Sequence, residues 1–145
     1  MVELPALRDG SLPAVPDPIA ASPATTARPL RVLLVEDHED TRRILHRLMT
    51  RWGHAVTTAG SVAEARQALA GGSFDLLLSD LGLPDGTGLD VVMTLRENSR
   101  IPAVAMSGYG MEADISRARA AGFNEHVVKP VTAETLIQTL ERYSR

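Results

Sequence analysis

The chain contains no cysteine, so disulfides, thiol catalysis and thiolate metal sites are all excluded. It has no excess of basic residues either. Lys and Arg number 15 against 18 Asp and Glu, a formal net charge of −3, and this balance does not favour direct binding to a nucleic-acid backbone. No apolar run approaches the length of a membrane span, and the start carries Glu3 and Pro5 where a secretion signal needs a basic and then an apolar stretch, so a cytoplasmic location is expected. Of the four histidines, His38, His46, His54 and His126, no two share the i, i+4 spacing of a helical zinc motif. On that ground they read as scattered surface or core residues.

What is present is distributed unevenly. Six of the nine prolines (Pro5, Pro13, Pro16, Pro18, Pro23, Pro29) fall in the first 29 positions, among Ala, Ser and Thr and without an aromatic residue. Such a segment buries too little apolar surface to offset the entropy of ordering it, so residues 1–28 are expected to form a disordered arm. Residues 30–145 have the length of one domain.

Within that domain, short continuous apolar runs alternate with stretches of helical period, the pattern of a parallel sheet covered by helices on both faces. Strands are expected at Arg31 to Val35, His54 to Thr58, Phe74 to Asp80, Ala103 to Ser107 and Glu125 to Val128. Helices are expected at His38 to Trp52, after Ser61, at about Leu89 to Glu97, at Glu112 to Ala121 and at Thr132 to Tyr143. The first would bury a stripe of Ile44, Leu45, Leu48, Met49 and Trp52, and the second would open on a capping box of Ser61 and Glu64. Five such units with right-handed crossovers suit a flavodoxin-like, doubly wound (βα)5 α/β fold with strand order 2-1-3-4-5.

In such sheets ligands bind beyond the carboxyl ends of the strands. The first strand ends in Glu36-Asp37, the third in Asp80 and the fourth in Ser107, while Lys129-Pro130 follows the fifth. Carboxylates crowded on one rim repel one another when ionised, and oxygen-only donors on a shallow rim suit a hydrated hard cation such as Mg²⁺. With the metal and the Lys129 ammonium beside it, the Asp80 carboxylate could attack a phosphoryl group, the Ser107 hydroxyl helping to hold the equatorial oxygens.

This set, with the loop LGLPDGTGLD after Asp80 and the run GFNEHVVKPV around Lys129, resembles the receiver domain of two-component response regulators, including the chemotaxis-type single-domain members and the receivers of hybrid kinases. The resemblance covers Leu30 to Arg145. It implies that Asp80 is the phosphoacceptor, that Asp37 binds Mg²⁺ directly with Glu36 acting partly through water, and that the Gly82 carbonyl is a further ligand. It also implies that the Leu81 and Gly108 backbone N–H groups cradle the phosphate, that Ser107 is the switch hydroxyl and Lys129 the phosphate-binding lysine, and that the Lys129-Pro130 bond is cis. The implied phosphodonor is a sensor histidine kinase or a histidine phosphotransfer protein. The implied output is a downstream protein at the face of the fourth helix, fifth strand and fifth helix. The family's aromatic switch position is occupied here by His126, and Tyr109 lies two residues beyond Ser107.

Such a protein is a signalling module rather than a turnover enzyme, limited to self-catalysed phosphoryl acceptance and loss. The competing readings are a docking module of the same fold that works without phosphate, and a Mg²⁺-dependent phosphatase. The latter calls for a second acid two residues after the nucleophile, where this chain has Gly82.

Overall fold

The computed structural model describes residues 28–108 and 112–144. The expected arm lies outside them, except for Arg28, whose backbone N–H donates to the Ser144 carbonyl at 3.0 Å. Tyr109 also lies outside.

The elements alternate as β1 (Arg31–Val35), α1 (Glu39–Arg51), β2 (Ala55–Ala59), α2 (Val62–Gly71), β3 (Leu76–Asp80), α3 (Gly88–Arg96), β4 (Ala103–Ser107), α4 (Glu112–Ala121), β5 (Glu125–Val128) and α5 (Ala133–Tyr143). All five strands are parallel and lie in the order 2-1-3-4-5. A small antiparallel ladder, Gly82–Leu83 on Gly86–Thr87, stiffens the loop after β3.

The period-2 alternation of the central strands builds two cores, one on each face of the sheet. Leu33, Val35, Leu77, Ala103 and Ala105 pack on one face with Val62 and Ala65 of α2, Val91, Val92 and Leu95 of α3, and Ala118 of α4. Val32, Leu34, Leu76, Leu78, Val104 and Met106 pack on the other with Leu45 and Met49 of α1 and with Leu136 and Leu140 of α5. The sheet is therefore covered on both sides, and its carboxyl edge is left open to solvent.

The expected boundaries shift by one or two residues at several ends, each for a local reason. His38 and Thr132 are N-caps rather than first helical residues, and α3 begins one residue earlier than expected, at Gly88. Phe74 and Asp75 precede β3 because Asp75 is occupied elsewhere: its N–H donates to the Arg31 carbonyl at 2.7 Å, and its carboxylate accepts from the Arg31 N–H and guanidinium. Ile44, expected on the buried stripe of α1, is 58% exposed. Leu45 and Met49 point at the sheet, and Ile44 lies on the flank of that stripe.

At the start of α2 the Ser61 hydroxyl accepts the Glu64 N–H at 3.1 Å as expected, but the Glu64 carboxylate reaches one residue further, to the Gly60 N–H at 2.8 Å. The remaining N-terminal amides of α2, those of Val62 and Ala63, donate to the Asp85 carboxylate at 2.8 and 3.0 Å. Asp85, a turn residue by sequence, thus ties the loop after β3 to a neighbouring helix.

His54 precedes β2 instead of opening it, and is buried beneath α1. Its Nδ1 accepts the Leu30 N–H at 2.9 Å, so the neutral ring carries its proton on Nε2. Burial lowers its pKa below the ordinary 6.5. The native state then binds fewer protons than the unfolded chain below about pH 6.5, so the stability His54 contributes is complete above that value and is lost as pH falls through the native pKa. The midpoint of thermal unfolding is expected to drop between pH 7.5 and 5.5, and this drop is expected to be smaller in His54→Gln, which does not titrate.

Candidate functional site

The ends of four strands, β1, β3, β4 and β5, bring their groups together at the carboxyl edge of the sheet. Glu36 follows β1 and is fully buried, its main chain tied to the edge strand by a bond from its N–H to the Ala59 carbonyl at 3.0 Å. Asp80 ends β3 and is 7% exposed. Lys129 leaves β5 and places its Nζ 2.7 Å from Asp80 Oδ2 and 3.1 Å from Glu36 Oε1, bridging the two acids. Asp37 sits beside them with about a third of its side chain exposed. The Lys129-Pro130 peptide is cis.

The charges work against one another. Burial disfavours ionisation of Glu36, but the His38 backbone N–H, donating at 3.0 Å, and the Lys129 ammonium outweigh it and hold the Glu36 pKa below the usual range. For Asp80, burial together with the nearby Glu36 charge prevails over Lys129, and its pKa is raised. Lys129 itself loses solvation, yet its two carboxylate partners raise its pKa. The result is a partly dry pocket in which one cation serves two carboxylates and a third acid stands by.

The Ser107 hydroxyl at the end of β4 is buried and has no hydrogen-bond partner among the described residues. The Ser107 carbonyl accepts the Lys129 N–H at 2.7 Å, which fixes where the lysine starts. Gly108 lines a cavity of about 570 Å³ beside the pocket, together with Glu36, His38, Ile44, Lys129 and Pro130. His126 lies half-buried in mid β5, opposite Ala105.

Two readings of the sequence need correction here. The Leu81 N–H is not available to a phosphate, because it donates to the Met106 carbonyl at 3.1 Å as the last rung between β3 and β4. The amide that faces the Asp80 carboxylate is that of Gly82, 3.3 Å from Oδ1. The second correction concerns His38, which is not a scattered histidine: its Nδ1 lies 3.3 Å from Glu36 Oε2 and 3.4 Å from Asp37 Oδ1. A search of the sequence for paired histidines misses it because its partners are carboxylates.

One donor atom each from Glu36, Asp37, His38 and Asp80 falls within 4.8 Å of all the others. A mainly carboxylate set of this kind, with an uncompensated acid, suits a divalent cation.

The family model for the response regulator receiver domain matches residues 32–141. The chain belongs to the response regulator receiver family. The chemotaxis protein CheY of Pseudomonas aeruginosa is 32% identical over 117 residues, covering 78% of this chain and 94% of that protein. CheY1 of Helicobacter pylori is 33% identical over 117 residues, with 77% and 94% coverage. The sensory/regulatory protein RpfC of Xanthomonas campestris pv. campestris is 31% identical over 118 residues, which are 78% of this chain and 16% of that protein. Among solved structures, a receiver domain protein from Clostridium thermocellum superposes with a TM-score of 0.72 at 22% identity over 78% of this chain and 92% of its own, a likeness of fold.

As a receiver, the chain is a module of two-component signalling. No helix among its described residues is long and apolar enough to cross a membrane.

Proposed function

We propose that this receiver accepts a phosphoryl group on Asp80 from a phosphohistidine of a sensor kinase or phosphotransfer protein. The observation that carries this reading is the placement of Lys129 against the buried Asp80 at 2.7 Å, with Glu36 and Asp37 beside it. The Asp80 carboxylate forms the new P–O bond while the P–N bond of the donor breaks, and the electron pair stays on the donor imidazole, which takes up a proton. Burial serves this step by making ionised Asp80 more basic than an exposed carboxylate, and hence a better nucleophile. Lys129 meets the charge on the incoming phosphoryl group, and the unpartnered Ser107 hydroxyl supplies a donor. The Gly82 N–H offers another, in the role that the family resemblance suggested for Leu81, alongside Gly108. Asp37, Asp80 and the Gly82 carbonyl would hold Mg²⁺, with Glu36 acting through water. Bound there, the ion neutralises the acids and the phosphoryl oxygens.

The output follows from how β4 and β5 are joined. Ser107 is in register with Val128, which is 48% exposed, so a shift of Ser107 toward a phosphate moves β5 with it. Glu125 of β5 is tied to α5 through Arg142, at 2.6 Å, and through the Tyr143 hydroxyl, which donates to the same carboxylate. Burial and that carboxylate push the Tyr143 pKa up to about 12, so the hydroxyl remains a donor at any physiological pH. The face of α4, β5 and α5 would then change toward a protein partner, with His126 in the position of the family's aromatic switch.

The test is intact mass after incubation with Mg²⁺ and a small phosphodonor. The wild type should gain one phosphoryl group and Asp80→Asn none. No gain in the wild type, or a gain that survives the substitution, would overturn Asp80 as the phosphoacceptor. In the absence of Mg²⁺, Asp80→Asn should also melt higher than the wild type. The raised pKa means that ionised Asp80 costs stability above that pKa, so removing its charge should raise the melting temperature.

A further inference from the structure

Ile44 is the unexplained residue of α1. It is 58% exposed although Leu45 beside it is buried, and it lines the cavity of about 570 Å³ together with Thr41, Leu45, Met106, Pro130 and Val131. This wall, away from the acids, is mainly apolar, and the cavity has the size of a binding site. The apolar surface extends along the same side of the sheet. Leu48 in mid α1, Trp52 at its C-cap and Tyr143 at the end of α5 are partly buried against the core that holds Leu45. Residues 1–27 join the domain at that far end, because the Arg28 N–H donates to the carbonyl of Ser144, the C-cap of α5. From there α5, with 11 residues, runs about 17 Å back toward Val131 and the cavity. Ala20–Ala27 alone span roughly 25 Å in polyproline II, so the segment before them reaches the cavity easily.

We propose that residues 12–19 of this chain, LPAVPDPI, dock in the groove between α1 and the entry to α5, over Ile44 and Val131. Polyproline II repeats every three residues. In that form Leu12, Val15 and Pro18 share one edge, Pro13, Pro16 and Ile19 the next, and Ser11, Ala14 and Asp17 the third. Two edges are apolar and one is small and polar, the division that a segment lying in a groove requires. The prolines limit the entropy lost on docking, and the groove supplies the apolar partner surface that the arm lacks by itself. The charges agree as well. Glu3, Asp9 and Asp17 outnumber Arg8 in residues 1–27, while α1 carries Arg42, Arg43, Arg47 and Arg51 against Glu39 and Asp40. A short tether holds the segment at an effective concentration of about a millimolar, so a contact too weak to retain a free peptide suffices. The docked segment covers one flank of the cavity and narrows the approach to Lys129 from that side.

The test uses the full chain, which has no cysteine, so that Ala14→Cys on the polar edge of the segment takes a single nitroxide label. Methyl NMR of the labelled chain should show the signals of Ile44 and Val131 lost to paramagnetic broadening. The signal of Met93, 56% exposed on α3 at the other face of the sheet, should keep its intensity. Adding Leu12→Asp and Val15→Asp, which lie outside the folded domain, should restore the Ile44 and Val131 signals. Equal broadening at Ile44 and Met93 would mean that the arm only sweeps past the surface, and would overturn the proposal. Broadening that survives the two aspartates would overturn it too. In a mixture of nitroxide-bearing chains and separate isotope-labelled chains without nitroxide, the Ile44 signal should stay intact. Its loss there would assign the groove to a second copy instead of to the chain's own arm.

Discussion

Alanine at Gly88 is expected to destabilise the protein by about 3 kcal/mol, more than any other single-methyl addition at a described glycine. Gly88 opens α3, and a Cβ built on it meets the carbonyl oxygen of Asp80 at 2.4 Å and the Asp80 and Leu81 backbones at 3.2 Å. These are main-chain atoms of a buried strand end, held by the bond from the Leu81 N–H to Met106 and by that from the Gly88 N–H to the Leu81 carbonyl at 2.9 Å. Nothing there can turn aside as the tip of a long side chain would. Relief requires α3 to back away or the end of β3 to move, and the second of these displaces the Asp80 carboxylate. Urea unfolding of Gly88→Ala should show the loss in stability, and phosphorylation by a small phosphodonor should be slower than in the wild type. Gly71→Ala is the control: it lies at the end of α2 with nothing within 4 Å of its Cβ, and should be neutral or slightly stabilising. Equal stability of the two variants would show that the packing of α3 on Asp80 is looser than described.

The second large effect is expected at Lys129. Lys129→Met keeps much of the hydrophobic stem and removes the only ammonium within 4 Å of Glu36 and Asp80 among the described residues. Glu36 is fully buried, and without its ion pair the desolvation that now loses to Lys129 and the His38 N–H gains the upper hand. In the wild type Glu36 titrates below its ordinary value, so it stabilises the fold above pH 4.5 and loses that contribution as the pH falls. In the variant its native pKa lies above the unfolded value, and the sign reverses: the ionised form costs stability at neutral pH and protonation relieves it. A deficit of about 2 kcal/mol at pH 7.5 that shrinks toward pH 5 is therefore expected, measured by thermal unfolding without divalent ions at both pH values. Phosphorylation should slow by about a hundredfold or more, the usual cost of removing a preorganised charge from a transferring group. A stability deficit independent of pH would mean that Lys129 acts on Glu36 through packing alone.

The arrangement also shows how a small rim can serve both chemistry and signalling. Lys129 touches Asp80 with its side chain and Ser107 with its backbone, so the acceptor, the switch hydroxyl and β5 are linked through one residue. Arg96 performs a comparable task at the opposite end of the sheet. From the end of α3 its guanidinium donates to the carbonyls of Ile101, Ser99 and Gly122 and to the Asn124 side chain, and it joins the loops entering β4 and β5. With both ends tied, β4 and β5 are held in a fixed relation, which suits a surface that changes as a unit.

The parts legible in the sequence are those governed by periodicity and order. Runs such as RVLLV, LLLSD and AVAMS can be buried on both faces only as central parallel strands, and their chain order with intervening helices left few topologies. Glu36, Asp80, Ser107 and Lys129 could be placed on one rim before any coordinates, because each directly ends or follows such a strand. Features that depend on which groups meet across the fold were not legible. Ile44 has the spacing of a core residue and shares the expected stripe with Leu45 and Met49, yet in the fold those two are buried and Ile44 is left exposed. Asp85 reads as a turn former, and only the approach of the loop after β3 to α2 made it a helix cap. The Leu81 amide was taken by the β4 ladder, leaving Gly82 to face Asp80.

Burial patterns and strand ends are properties of a linear chain, so the sheet, its helical cover and the acids and lysine at its open edge follow from residue order. How the charge is shared follows from contacts made in the folded state. Hydrogen bonds and ion pairs form over a few ångströms between residues tens of positions apart, and whether Lys129 faces one acid or two, or His38 faces solvent or carboxylates, depends on distances that no linear spacing encodes.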